Sequence, residues 1–309
     1  MIKSDKKNFN DPDLFDDEID MKEIFNVIWE SKKLIILITS IVSIGAVVAS
    51  LMLTNYYQSE SVLAARESQD SSILSQYSGL ASLAGVGVSS TGNDVVEVIE
   101  IIRSREFVKH LLTFENVLPS VMAAENYDIN SQELYFDPNK YDAKTKKWTS
   151  KPSYLAAHKK YLDKLLSISQ SKKTGLVSIT IEHISPIFAK EFLALIIREA
   201  NTLKREKDIA TSTEALNYLK GELSQTSMLD MKLSINQLIK VQLETRMMAK
   251  INEEYSIVMI EPPFVPELKS KPHRALICLL TTFIGGLLSV MIVLVRYHFF
   301  GKEITNNNI

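Results

Sequence analysis

The chain has 309 residues, of which 46% are hydrophobic and 23% charged, with a net charge of −2. That length suits one large or two modest domains. The near-neutral balance lacks the basic excess that accompanies nucleic-acid binding, so no nucleic-acid partner is expected. The single cysteine, Cys278, excludes an intrachain disulfide.

Residues 1–33 read as a cytoplasmic tail, and its DPDLFDDEID stretch has the acidic composition of a disordered segment. Within Ile19–Trp29, the residues Ile24, Phe25, Ile28 and Trp29 recur at helical spacing, which predicts an amphipathic turn or two at a membrane surface with Trp29 among the headgroups. Leu34–Leu53 and Ala275–Val295 then carry no charge over about twenty residues each, the length that spans a bilayer core of about 30 Å. Soluble core helices rarely lack a polar face for so long. A cleaved signal peptide is disfavoured by the acidic stretch ahead of the first run. Lys22, Lys32 and Lys33 precede the first span and only Arg66 lies in the comparable stretch after it, so both termini are expected in the cytoplasm and residues 54–274 outside it.

Tyr56–Ala65 predicts a strand leaving the membrane, and Ser78–Asn93 a Gly/Ser/Ala-rich loop. Val95–Leu112 has helical period. Residues 116–153, with Pro119, Pro138 and Pro152, predict mostly irregular structure, and Ser153–Ser167 a helix. Gly175–Ile184 alternates apolar and polar residues and is the clearest strand. Ser185-Pro186 is a sound helix start. From Ile187 to Glu261 the sequence has no proline, which predicts a long rising helix and a shorter returning one over about 186–254, broken near Gln225–Asp230. Tyr255–Ile260 reads as a last strand, and Pro262, Pro263, Pro266 and Pro272 as a stiff extended lead into the second span. Gly45/Ala49, Ala46/Ser50 and Gly285/Ser289 are small residues four apart that permit close helix contact.

Catalytic and cofactor motifs are missing. Gly87-Val-Ser-Ser-Thr-Gly92 matches a P-loop only until Asn93 and Asp94 stand where Lys and Ser/Thr are needed. His110, His158, His183, His273 and His298 show no metal-ligand spacing. Carboxylates such as Glu253-Glu254 sit in solvated, charge-rich sequence. Tyr135–Tyr161 interleaves aromatics with lysines, a composition that suits sugar contact but is better read as a loop whose aromatics pack on the domain. No catalytic residue, cofactor or metal is therefore expected.

Four features, in order, resemble the Wzz-type chain length determinants, the kinase-less polysaccharide co-polymerases of Gram-negative bacteria. They are Ile19-Asp20-Met21-Lys22-Glu23-Ile24 with Trp29 and Lys32-Lys33; Gly79-Leu80-Ala81-Ser82-Leu83-Ala84-Gly85 followed by Ser104-Arg105-Glu106-Phe107; the strand at 175–183 leading into Ser185-Pro186; and Glu261-Pro262-Pro263-Phe264-Val265-Pro266-Glu267 with Lys269-Ser270-Lys271-Pro272 running into the span at Gly285-Gly286. The last is the most specific and makes Pro262, Pro263, Pro266, Pro272, Gly285 and Gly286 the motif residues. The resemblance implies an α+β membrane protein in which two transmembrane helices flank a periplasmic α/β base with a long extended helical hairpin. It implies an inner-membrane, non-catalytic regulator of O-antigen or related polysaccharide length. Its expected partners are further copies in a homo-oligomeric ring, a Wzy-type polymerase, a lipid-linked glycan and membrane lipids. About a dozen residues follow the second span, so the cytoplasmic kinase of some relatives is not expected. An adaptor of a capsule or exopolysaccharide export system is the alternative. A membrane sensor lacks an output module in the short tails, and a glycan-active enzyme would need an acid/base pair that nothing in the sequence selects.

Overall fold

The computed structural model describes residues 21–65 and 91–300. Residues 1–20, 66–90 and 301–309, which include the acidic stretch and residues 78–90 of the Gly/Ser/Ala-rich loop, lie outside the described residues, as does most of the P-loop-like segment, while residues 91–93 open a helix. The chain divides into two compact units, one from residues 1–53 with 272–309 and one from residues 54–271.

In the first unit, α1 (Met21–Glu30) is followed after Ser31 by α2 (Lys32–Met52), and α9 (Arg274–Phe300) packs beside both. Both α2 and α9 are long and apolar enough to cross a membrane, and most of each apolar surface is left uncovered by the described residues. Their contact is built from small and hydroxylated residues. Thr39 Oγ1 lies 3.3 Å from Ser289 Oγ and Thr282 Oγ1 3.1 Å from Ser43 Oγ, with Ala46 and Ser50 buried between the helices. Glycine at 285 is required by the approach of α2, since a Cβ there would stand 2.7 Å from Val42 Cγ1.

The second unit is an α+β base from which a helical hairpin extends. Strand β1 (Tyr57–Ala65) is followed by α3 (Thr91–Arg103) and α4 (Arg105–Leu111), then α5 (Val117–Ala123), β2 (Ala124–Asp128), β3 (Glu133–Phe136), β4 (Tyr141–Asp142) and β5 (Lys147–Trp148). Next come α6 (Tyr154–Lys160), a π-helical turn at Tyr161–Leu165, β6 (Leu166–Gln170), β7 (Val177–His183), α7 (Pro186–Gln225), α8 (Leu229–Ile251) and β8 (Ile257–Glu261). The main sheet is antiparallel with order β6-β7-β1-β8. Leu63, Val177, Ile179, Ile181 and Ile257 point from its strands to one core shared with Phe192, Leu193, Ile196 and Ile197 of α7 and Val98 and Ile102 of α3. The strict alternation of burial along β1 and β7 is the period-two signature of a sheet with one covered face.

Three expectations need correction. The helix expected over Val95–Leu112 breaks at Ser104, whose extended backbone and hydroxyl cap the Phe107 N–H and start α4 afresh. Residues 116–153 are not mostly irregular, because Asp128, Asp137 and Asp142 each accept a backbone N–H two residues on, from Asn130, Asn139 and Lys144. These side-chain turns order two small hairpins, closed by left-handed Gln132 and Lys146. The helix expected to reach Ser167 ends earlier, in the π turn, and Leu166 begins β6 against β7. The long rising helix and the shorter returning one are both present. Ser185 caps α7 by accepting from Phe188 N at 3.2 Å, and the 40-residue α7 gives way at Thr226 to the 23-residue α8.

Candidate functional site

The most specific sequence motif forms an extended strap. Having no N–H, Pro262, Pro263 and Pro266 cannot continue the β8 ladder along β1. Side chains replace it. Ser61 Oγ donates to the Glu261 carbonyl and Ser59 Oγ to the Phe264 carbonyl, each at 2.7 Å, and both serines are fully buried. Past Pro266, which is buried, the strap pairs again with the start of β1. Tyr56 N donates to Lys271 O at 3.0 Å and Ser270 N donates to Tyr56 O at 2.8 Å, while Lys271 Nζ meets Glu182 at 2.7 Å. Pro272 then immediately precedes the residues that open α9. Three prolines thus keep β8 from extending along β1 while two serines hold the strap to that strand. In the first unit, Gly285 sits against Val42, whereas a Cβ on Gly286 would meet nothing within 4 Å. The motif residues therefore occupy different places, and the geometry joins only the three prolines and Pro272 into one element.

The second arrangement is the α7–α8 hairpin and its seat. Asn201 on α7 is buried and fixes the chain returning from α8. Its Nδ2 donates to Ile257 O at 2.9 Å, and its Oδ1 accepts from Ser256 N and Ile257 N at 3.1 Å each. One turn on, the buried Lys204 ammonium lies 2.9 Å from both Glu97 of α3 and Asp208, and Lys207 reaches Glu97 at 2.7 Å. Burial would raise the Glu97 carboxyl, but hydrogen bonds from Lys207 and Lys204 outweigh it and hold the group below the usual carboxylate range. Burial would likewise lower Lys204, yet Glu97 and Asp208 hold its ammonium above the ordinary lysine value. Beyond this seat the hairpin buries only a seam of Ser212, Leu216, Leu219, Ile235, Gln242 and Ala249. Its flanks leave Tyr218, Leu233, Met247, Met248 and Ile251 exposed, and its tip leaves Met228, Leu229 and Met231 exposed around a shallow depression with Asp230 and Ser234.

Three of the histidines hold structural partners. His183 is buried, with one ring nitrogen 3.0 Å from Ser120 O and the other accepting from Ser185 N at 3.1 Å, and burial depresses it to about 4. His110 meets Glu199 at 2.9 Å, and His158 lies 2.8 Å from Arg103 O. Among the described residues no group of three His, Cys, Asp or Glu side chains stands close enough to hold a metal. The aromatic–lysine stretch is packed, with Tyr141 buried between Phe136 and Trp148 at ring separations of 5.4 and 4.9 Å. The motif prolines were legible as residues. Ser59, Ser61, Asn201 and Lys204, which position them and the hairpin, were not, because a polar residue in an apolar pattern carries no mark of its buried partner.

Residues 17–113, about a third of the chain, match the family model described as Wzz, chain length determinant protein, which bears out the resemblance read from the first two of its four features. No curated protein matches the sequence significantly. Among solved structures, a full-length bacterial polysaccharide co-polymerase is similar over 94% of this chain and 99% of its own, at 13% identity and a TM-score of 0.40. A fragment of WzzB, the polysaccharide co-polymerase of Salmonella Typhimurium, is similar over 70% of this chain and 100% of its own, at 12% identity and a TM-score of 0.32.

Proposed function

We propose that this protein, whose N-terminal segment is matched by the chain length determinant family, is a non-catalytic polysaccharide co-polymerase. It sets the length of O-antigen or a related surface polysaccharide together with a Wzy-type polymerase. In this reading α2 and α9 cross the inner membrane, residues 1–33 and 296–309 are cytoplasmic, and residues 54–274 form a periplasmic domain. Pro262, Pro263, Pro266 and Pro272 supply the stiff strap that carries that domain from the second span, and Gly285 lets the two spans pack closely.

The observation that carries the reading beyond the family match is the hairpin. A pair of helices buries one seam, and this seam includes Ser212 and Gln242. Ile209, Leu223, Leu238, Ile239, Val241 and Leu243 stay partly exposed beside the exposed Tyr218, Leu233 and Met247. Flanks of this kind are stable when further helices cover them, and neighbouring copies standing side by side supply those helices. A homo-oligomer built this way presents a repeated periplasmic surface of fixed size to the growing, lipid-linked glycan, which supports a scaffold role over a catalytic one.

Deletion of the gene in cells that retain the polymerase tests this. The glycan ladder is expected to lose its preferred length while polymerisation continues. An unchanged ladder would overturn the role. Purification of the full chain in detergent as a single copy would overturn the ring.

A further inference from the structure

We propose that the Phe25–Trp29–Lys32–Lys33 face of the N-terminal helices is a docking surface for anionic phospholipid headgroups, an inference that rests on the reading that α2 crosses the membrane. The geometry is continuous. Ser31 interrupts the helix only locally, because Ser31 N still donates to Val27 O at 3.0 Å and Ile35 N to Ser31 O at 3.1 Å. Helical period therefore carries through, and Phe25, Trp29, Lys33, Ile36, Ile44, Val47 and Leu51 fall on one stripe. The opposite side is occupied: Val27 is buried and α1 packs beside α9. Every residue of the stripe is exposed, with Phe25 and Trp29 above 60%.

The lower half of that stripe has only hydrocarbon as a suitable neighbour once α2 is in a bilayer. Its upper half changes chemistry at the depth where the bilayer does. Trp29 lies four residues before Lys33, about 6 Å along the axis, which matches a headgroup layer of several ångströms on each side of the core. The Phe25 and Trp29 rings are stacked at 6.0 Å, and the Lys32 ammonium sits 4.5 Å over the Trp29 ring. The Trp29 indole, with an apolar body and a polar N–H, favours that layer, and Phe25 extends its apolar surface. An ammonium held on an aromatic face beside a second exposed lysine places two positive charges there, with the exposed Glu30 carboxylate three residues before Lys33. Lipid phosphates and the net negative charge of anionic headgroups complement them.

The test uses the full chain with Trp148→Phe, which leaves Trp29 as the only tryptophan, reconstituted in phosphatidylcholine nanodiscs. Trp29 fluorescence is read as either phosphatidylglycerol or phosphatidylcholine brominated near the headgroup is introduced. Brominated phosphatidylglycerol is expected to quench several-fold more efficiently per lipid. Each lysine near the surface contributes a factor of about five, so Lys32→Gln with Lys33→Gln is expected to remove the preference, as is high salt. Equal quenching by the two lipids overturns the anionic preference. No quenching in a chain that stays in the disc overturns the docking surface and shows Trp29 covered by protein. Release of the chain from vesicles by alkaline carbonate overturns the membrane-spanning reading instead, so the two failures are separable.

Discussion

The Asn201 side chain holds Ile257 at both backbone positions, donating to its carbonyl at 2.9 Å and accepting from its N–H at 3.1 Å. The lengths of the hairpin arms make this clamp possible. From Asn201 to the end of α7 is 24 residues and α8 contains 23, so both arms run about 35 Å at 1.5 Å per residue. The chain comes back to the level it left, and one amide secures it.

Asn201→Leu removes the side-chain partner of three backbone groups on the buried Ser256 and Ile257. An unfolding free energy lower by about 2–4 kcal/mol is expected, since each unpaired buried group costs about 1–3 kcal/mol. Thermal or denaturant unfolding of the full chain in micelles measures it. Ser256→Ala is the companion variant, because the Ser256 hydroxyl is buried with no hydrogen-bond partner among the described residues; it is expected to be neutral or slightly stabilising.

The two adjacent glycines of α9 should respond with opposite sign. Gly285→Ala drives a Cβ into Val42 and is expected to destabilise the helix pair by about 1–3 kcal/mol. Gly286→Ala meets open space and gains up to about 1 kcal/mol of helix propensity. Equal effects in micelle unfolding would show that α2 and α9 do not pack as described.

Lys204→Met leaves Glu97 and Asp208 without their buried cation and is expected to cost about 2–4 kcal/mol, whereas the exposed Lys207→Ala should cost less than about 1 kcal/mol. The pH dependence runs both ways. The lowered Glu97 contributes stability that is present above the ordinary carboxylate value and lost as pH falls through its folded value. The raised Lys204 contributes stability present below the ordinary lysine value and lost as pH rises through its folded value. Unfolding followed from acid to alkaline pH, with and without Lys204→Met, separates the two limbs.

His183 is buried as the neutral ring, with its pKa lowered from 6.5 to about 4. Between those values the unfolded chain binds the proton and the folded chain does not. Stability from this group is therefore complete above pH 6.5 and declines toward pH 4, by about 3 kcal/mol at 1.36 kcal/mol per pKa unit. A titration of unfolding free energy across this window should lose that slope in His183→Gln, at some cost in overall stability.

Much of this architecture was legible because it rests on local periodicity. Twenty uncharged residues, an alternating strand at 175–184, Ser185-Pro186 at a helix start and a proline-free run each follow from the backbone's own repeat. The errors fell where a single side chain overrides the repeat. Ser104 divides an otherwise continuous helical pattern by capping Phe107. Asp128, Asp137 and Asp142 order a region that composition made look irregular. Leu166 leaves a helical pattern because β7 offers it a ladder.

The sequence by itself determined the two apolar helices, the alternating strand, the start of the long hairpin, the proline strap and the resemblance to chain length determinants, since each depends on residues near one another along the chain. Only the tertiary structure decided which polar groups are buried together. Ser59 and Ser61 with the strap carbonyls, Asn201 with Ile257, and Lys204 with Glu97 join residues about fifty to two hundred positions apart. Burial makes a polar group's partner obligatory, but which partner it finds depends on how the sheet and the hairpin bring distant segments to the same point.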